Sequence, residues 1–253
     1  MKVCASLACW PGARYPQAAE LVMQGLTEPL WGQISATHVQ FVPQTLGYLT
    51  EDLAAKFRQR WPHTEFRLHA NVRVLPQHRY VDLANVQKHP DWLAQASRVS
   101  RQLGARAYTA HAGRRRESSM ETMLDNVRRV ADAFGCPVGV EGMYPASGNP
   151  WLISTWREYG LLLECGLPYA LDLSHVHILA THSGRREAGL LRELLSSDRC
   201  IELHVSDNDG LHDSHRPCCK PAPWWFEHLT YLNPRAVAFS EGNHRHQCKG
   251  VPT

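Results

Sequence analysis

Residues 201–217 read I-E-L-H-V-S-D-N-D-G-L-H-D-S-H-R-P and hold three His and three Asp. Imidazole and carboxylate groups are the mixed nitrogen and oxygen donors that divalent metals take in proteins. Asp213 and His215 stand two apart, so in an extended segment both side chains reach the same side. The same residue types close five other short apolar runs: R-L-His69, T-A-His111, G-V-Glu141, L-Asp172-L-S-His175 and F-S-Glu241. A lone His at such a place is ordinarily a hydrogen-bonded core residue. Six successive runs ending this way point elsewhere. Five His and four carboxylates gathered in one place would repel and desolvate one another, and divalent cations resolve that conflict. The pattern therefore implies a multinuclear metal site.

Such a site needs elements that bring six run ends to one place. Eight β-like runs are legible, at 3–9, 37–42, 65–72, 105–111, 137–143, 169–173, 200–205 and 236–240. Amphipathic stretches lie between them at 15–25, 50–61, 90–103, 117–134, 151–164, 186–196 and 222–231. In 117–134, Met120, Met123, Leu124, Val127, Val130, Ala131 and Phe134 share one face. Gly104, Gly135 and Gly166 stand where helices end before the next strand. The spacing of about 30 residues per unit suits βα repeats. The prediction is an α/β chain folded as a (β/α)8 TIM barrel, one metal-binding domain over residues 1–253. The final helix is missing or replaced by an irregular tail over 242–253. The length of 253 residues fits that barrel, which takes about 250. Its chemistry would lie at the C-terminal strand ends, where the His, Asp and Glu residues fall.

Composition narrows the class further. Apolar residues make up 43% of the chain, enough for a full core. No apolar run approaches the roughly 18 residues a membrane span needs. A net charge of +3 gives no general nucleic-acid signal. Eight Cys at 4, 9, 136, 165, 200, 218, 219 and 248 form no C-x-x-C, which suits a reduced, cytoplasmic protein. Cys218-Cys219 are either incidental loop thiols or thiols near the metal site.

The set His69, His111, Glu141, Asp172, His175, His204, Asp213, His215 and Glu241 resembles the ligand set of the endonuclease IV-like and xylose isomerase-like TIM barrels. The order H, H, E, D-x-x-H, H, D-x-H, E matches throughout, over about residues 65–242. T-A-H-A-G and L-D-L-S-H are similar to two of the family's phrases. S-D-N-D-G-x-x-D-x-H-x-P resembles the sugar phosphate isomerase and epimerase branch. The resemblance implies two or three divalent metal ions, with zinc, iron or manganese all suited to mixed ligation. It makes Glu141 and Glu241 both ligands and catalytic groups, with Glu141 able to bridge two metals. In three-metal members His69 and His111 help to hold a further metal, and Asp213 and His215 another. The chain departs from the family after Asp-x-His, where R-P-C-C-K-P-A-P-W-W replaces the usual Gly-Glu-Gly stretch.

Beyond that set, Arg73, Arg114 and Trp224 are candidate substrate contacts. Arg114-Arg115-Arg116 either binds a phosphate group or flanks a helix in solvent, and Arg73 and Arg79 carry the same two readings. Trp224-Trp225 either packs barrel against helix or walls the pocket. Of the extra histidines His177, His182, His212, His244 and His246, His212 is expected near the ligands or exposed, and His244 and His246 on a mobile tail. Asp207 and Asp209 could orient ligand imidazoles.

Three activities follow from the resemblance. The leading one is metal-assisted isomerisation or epimerisation of a small sugar-like substrate. The second is oxidation at a multinuclear non-haem iron site, which would bring a peptide substrate and a partner protein; D-S-H-R-P with P-A-P-W-W resembles that family. The third is endonuclease IV-like phosphodiester hydrolysis at abasic DNA, although the charge opposes nucleic acid as a partner. No membrane partner is expected.

Overall fold

The computed structural model describes residues 1–246, so Cys248 and the end of the tail lie outside the described residues, as does the His246 side chain. Eight parallel strands close into a barrel: β1 (Val3–Ser6), β3 (Gly32–Phe41), β4 (Glu65–Leu68), β5 (Tyr108–His111), β6 (Val138–Glu141), β7 (Tyr169–Asp172), β8 (Cys200–Val205) and β9 (Val237–Ser240). They pair in that order, and β1 completes the ring by pairing with both β9 and β3. One strand had no sequence signal: β2 (Leu26–Glu28) lies antiparallel on the start of β3. Around the barrel lie α1 (Tyr15–Met23), α2 (Glu51–Arg60), α3 (Pro90–Leu103), α4 (Met120–Phe134), α5 (Trp156–Glu164), α6 (Leu173–Ser183) and α7 (Ala188–Ser196). The predicted TIM barrel is the observed one, and no described helix is long and apolar enough to cross a membrane.

The local causes are visible in α4. Ser119 Oγ accepts the Thr122 N–H at its start, and Gly135 ends it at φ 71°, a conformation that costs glycine little. Met123, Val127, Val130 and Phe134 bury its inner face, with Phe134 stacked on Tyr108 of β5 at 4.4 Å between centroids.

Several expectations are corrected. Most strands are shorter than the apolar runs, since residues 7–9 form a 3-10 turn and 69–72 lie beyond β4, whereas β8 matches its run and β3 starts earlier, at Gly32. Leu173 and His175 belong to α6, not to a strand end. Asp172 closes β7 and its Oδ1 accepts the N–H groups of Ser174 and His175, so the chain turns directly into a helix. The stretch 222–231 forms a 3-10 helix only over Phe226–Tyr231. After β9 the described residues contain a 3-10 turn at His244–His246, and the rest of the stretch expected as an irregular tail lies outside the described residues.

Strand alternation stacks the barrel interior in layers. Arg67, Thr109 and Glu202 sit two residues before His69, His111 and His204, on the same face of β4, β5 and β8. Glu202 is fully buried, yet its carboxylate accepts from Gln40 at 2.6 Å, Thr109 at 2.7 Å and Arg67 at 3.1 Å. This polar layer forms the floor beneath the His and Glu residues at the barrel mouth.

Candidate metal centre

The structure brings the nine expected residues together at the C-terminal end of the barrel. Glu141 is the hub. Its Oε2 lies 2.6 Å from His69 Nε2 and 3.5 Å from His204 Nδ1, and its Oε1 lies 3.7 Å from His175 Nδ1 and 3.8 Å from His111 Nε2. His175 Nε2 lies 3.6 Å from Asp172 Oδ2 and 3.4 Å from Asp213 Oδ2. Asp213 Oδ2 lies 3.1 Å from His215 Nε2, and His215 Nδ1 lies 3.5 Å from Glu241 Oε2. The Asp-x-His pair does meet on one side, although the backbone is not simply extended, because His215 has φ 46°. A non-glycine residue in that left-handed region costs on the order of 1–3 kcal/mol. A short loop closed by the bridge between Asp207 and Arg216 holds it there. Ser174 Oγ donates to Asp213 Oδ1 at 3.0 Å, tying this loop to the first turn of α6.

Depth varies across the set. Glu141, Asp172, His175, His204, His69 and Glu241 are buried, whereas the His111, Asp213 and His215 side chains keep 23%, 16% and 23% exposure and form the open side. Three overlapping groups each offer ligand atoms within 4.8 Å of one another: His69, Glu141, His204; Glu141, Asp172, His175; and Asp172, His204, Glu241.

Three of the imidazoles show one arrangement. On the side away from the carboxylate hub, His204 Nε2 meets Glu202 Oε1 at 2.8 Å and His111 Nδ1 meets Asp82 Oδ1 at 3.4 Å. His69 Nδ1 likewise meets the Ala70 carbonyl at 3.4 Å, whereas His175 Nδ1 meets the Gly142 carbonyl at 2.8 Å on its Glu141 side and turns Nε2 to Asp172 and Asp213. These oxygens only accept, so that nitrogen carries a proton, and the other is the one that would bind a metal once its own proton leaves, as metal-binding imidazoles do. His204 Nδ1 is buried and has no hydrogen-bond partner. An orphaned donor atom aimed at Glu141, beside Asp172 and Glu241, fits a divalent cation well.

The electrostatics agree. Burial alone would raise the Glu141 carboxyl, but His69, His204 and His111 hold it well below the usual carboxylate range. His204 is driven well above the usual imidazole value, since Glu141 and Glu241 outweigh its desolvation. Burial opposes His175 too, yet Asp172, Asp213 and Glu141 push it up to about 10, and Asp213 with Glu241 and Asp172 push His215 to about 9. A cluster that must hold protons to stay neutral exchanges them readily for metal.

The other candidates are placed less centrally. Arg73 donates from Nε to the Pro43 carbonyl at 2.9 Å. Arg114 lies over the Trp151 ring at 4.7 Å, while Arg115 pairs with Glu158 and Arg79 with Asp91. Trp224 lies under Arg186 and lines a cavity of ≈ 220 Å³ with His177 and Thr181. Trp225 is fully buried and stacked on Trp31. Asp207 and Asp209 do not support imidazoles of the set. Asp207 Oδ1 accepts the Asn208 N–H, and Asp209 pairs with exposed His212 at 3.0 Å, because both sit in a tight turn that uses their oxygens locally. His244 does not lie on a mobile tail; it is buried against Glu28, which sequence spacing could not show.

Sequence reasoning missed Glu202, Asp82 and Tyr144. Glu202 had a usable signal, since it precedes His204 by two in a strand and so shares its face. Asp82 and Tyr144 lie in loops with no periodicity. The Tyr144 ring lies 4.7 Å from His175, and burial with Asp213 and Asp172 raises its hydroxyl to about 12.

No protein-family model matches the chain, and no curated protein matches it. Solved structures do. A D-tagatose 3-epimerase-like protein aligns with a TM-score of 0.66 at 16% identity, covering 96% of this chain and 91% of its own. An AP endonuclease, family 2, from Brucella melitensis aligns at 0.61 and 17%, covering 96% and 93%. A xylose isomerase domain protein from Alicyclobacillus acidocaldarius subsp. acidocaldarius aligns at 0.59 and 14%, covering 100% and 91%. The chain therefore shares the TIM-barrel fold of these proteins. At such identities the likeness carries the fold, and the chemistry has to be argued from the site.

Proposed function

We propose that this chain is a metal-dependent isomerase or epimerase of a small sugar-like substrate. The observation that carries the reading is the placement of two glutamates from non-neighbouring strands around one imidazole. Glu141 ends β6 with Oε2 3.5 Å from His204 Nδ1, and Glu241 follows β9 with a carboxylate oxygen within 4.8 Å of a His204 ring nitrogen. Glu141, Asp172, His204 and Glu241 would hold the central divalent metal. When bound, that ion would polarise a substrate carbonyl and make its α-hydrogen acidic. The two carboxylates then divide the proton work. One takes the α-proton from one face of the carbon and the other returns a proton from the opposite face. Tyr144 and the exposed edges of His111 and His215 would border the substrate. Arg73, Arg114 and Trp224 remain proposed contacts for its distal end. A D-tagatose 3-epimerase-like protein among the structural neighbours supports the reading.

A second reading, hydrolysis of a phosphodiester, is favoured by one specific observation. His69, His111, Asp213 and His215 extend the cluster beyond the four residues that one metal needs, and a multinuclear centre suits water activation and leaving-group stabilisation. One experiment separates the two. Metal-loaded protein is incubated in deuterated water with a panel of ketoses and, separately, with abasic duplex DNA. Deuterium entering the carbon next to the carbonyl, lost in Glu141→Gln and Glu241→Gln, supports isomerisation. Cleaved abasic DNA with no exchange into any ketose rejects it in favour of hydrolysis.

A further inference from the structure

A second group of ligand-type side chains lies outside the nine-residue centre. Cys9 closes the 3-10 turn after β1, Glu28 ends β2 and His244 follows β9. All three are buried, at 0%, 1% and 5% exposure. One atom of each lies within 4.8 Å of the others. His244 Nε2 is 3.1 Å from Glu28 Oε1, the oxygen that also accepts from Ser240 Oγ. Cys9 Sγ donates to the Ser240 carbonyl at 3.3 Å, and the Cys218 N–H reaches Glu28 Oε2 at 3.4 Å. The group shares no residue with the nine.

We propose that Cys9, Glu28 and His244 form a separate structural site for one divalent cation of zinc type. Thiolate, imidazole and carboxylate are the three side-chain ligands zinc takes, and water or Ser240 Oγ would complete a tetrahedron. The charge balance favours this occupant. Among the described residues the ionic partner of the buried Glu28 carboxylate is His244, and no Lys or Arg pairs with it. A dication with one thiolate, one carboxylate and a neutral imidazole sums to zero, which is what a dry site requires. Binding the cation through Cys9 Sγ would release the thiol proton to solvent. The site would clamp the chain after β9 onto the β2 ribbon and the end of β1. Glu241 lies between Ser240 and His244, so the clamp would also fix that ligand of the main centre.

The inference does not depend on the isomerase reading, and its test reads the thiolate directly. Protein stripped by chelator is titrated with Co(II). The nine-residue centre contains no thiol, so a near-ultraviolet thiolate-to-cobalt charge-transfer band reports this site alone. The band is expected to saturate at one cobalt per chain, to persist in Glu141→Gln and to vanish in Cys9→Ser. Absence of the band in cobalt-saturated wild-type protein overturns the proposal, as does a band of full strength in Cys9→Ser. Should Cys9→Ser fail to fold, Glu28→Gln serves in its place: at least a tenfold loss of cobalt affinity at the band is expected, and unchanged affinity overturns the proposal.

Discussion

Glu202 is the residue whose removal should be felt in two places at once. Its carboxylate, fully buried, accepts from Gln40, Thr109, Arg67 and His204 at 2.6 to 3.1 Å. In Glu202→Ala the Arg67 guanidinium, whose side chain is only 9% exposed, loses this partner and keeps Glu65. Breaking a buried ion pair from one side costs about 3–5 kcal/mol. In a chain of this size each kcal/mol lowers Tm by about 2–4 °C, so a fall of roughly 6–20 °C is expected. Glu202→Gln keeps the volume and isolates the second effect. The carboxylate holds the proton on His204 Nε2 and so keeps Nδ1 as the inward donor. Loss of an orienting partner of this kind costs roughly 10–100-fold in metal affinity. The assay is chelator competition for the bound metal, run beside thermal melts of the metal-free protein. Glu202→Gln with wild-type metal affinity would refute the argument that Glu202 sets the His204 tautomer. Glu202→Ala with an unchanged metal-free Tm would refute the burial argument.

Other outcomes follow from the same geometry. Glu141→Gln should lose both metal and turnover, because four imidazoles face that carboxylate; full metal content with unchanged turnover removes Glu141 from the proton path. His69→Ala and His111→Ala should each lower the metal count by elemental analysis, and an unchanged count rules out a three-metal centre. A Cβ at residue 142 would lie 2.5 Å from the buried Tyr159 ring, so Gly142→Ala should destabilise by about 1–3 kcal/mol and disturb the carbonyl that orients His175. A melt identical to wild type contradicts this. At the opposite end of the barrel, hydrogen bonds to Cys4 and Glu65 raise His38 to about 9, while His38 lowers Glu65 to about 2. The His38 contribution to stability is complete below its ordinary value and lost as pH rises through about 9. The Glu65 contribution is present above the ordinary carboxylate value and lost as pH falls toward 2. A proton NMR titration should place the His38 midpoint near 9 and lower it in Cys4→Ser; a midpoint near the free imidazole value in wild type rejects the pairing.

The sequence by itself determined the alternation of strands and helices and the identity of the nine side chains at the mouth. Both are local properties. Apolar periodicity reports which face of an element is covered, and a His or Asp closing a strand reports what that strand delivers. The contact of Asp213 with His215 does not follow from their spacing of two, since His215 stands at φ 46° in a loop that is not extended. The tertiary structure alone decided what lies beneath and beside those residues. Strand β2 is too short to show a period, and α6 starts inside an apolar run where Asp172 caps it without a polar break. Asp82 reaches His111 from a loop, and His244 folds back on Glu28 across 216 positions. Glu202 was half legible, for alternation gives its face, but its pairing with Gln40, Thr109 and Arg67 exists only once the barrel closes. Burial of a charge is a property of the closed ring, because the groups that compensate it come from strands distant in the chain.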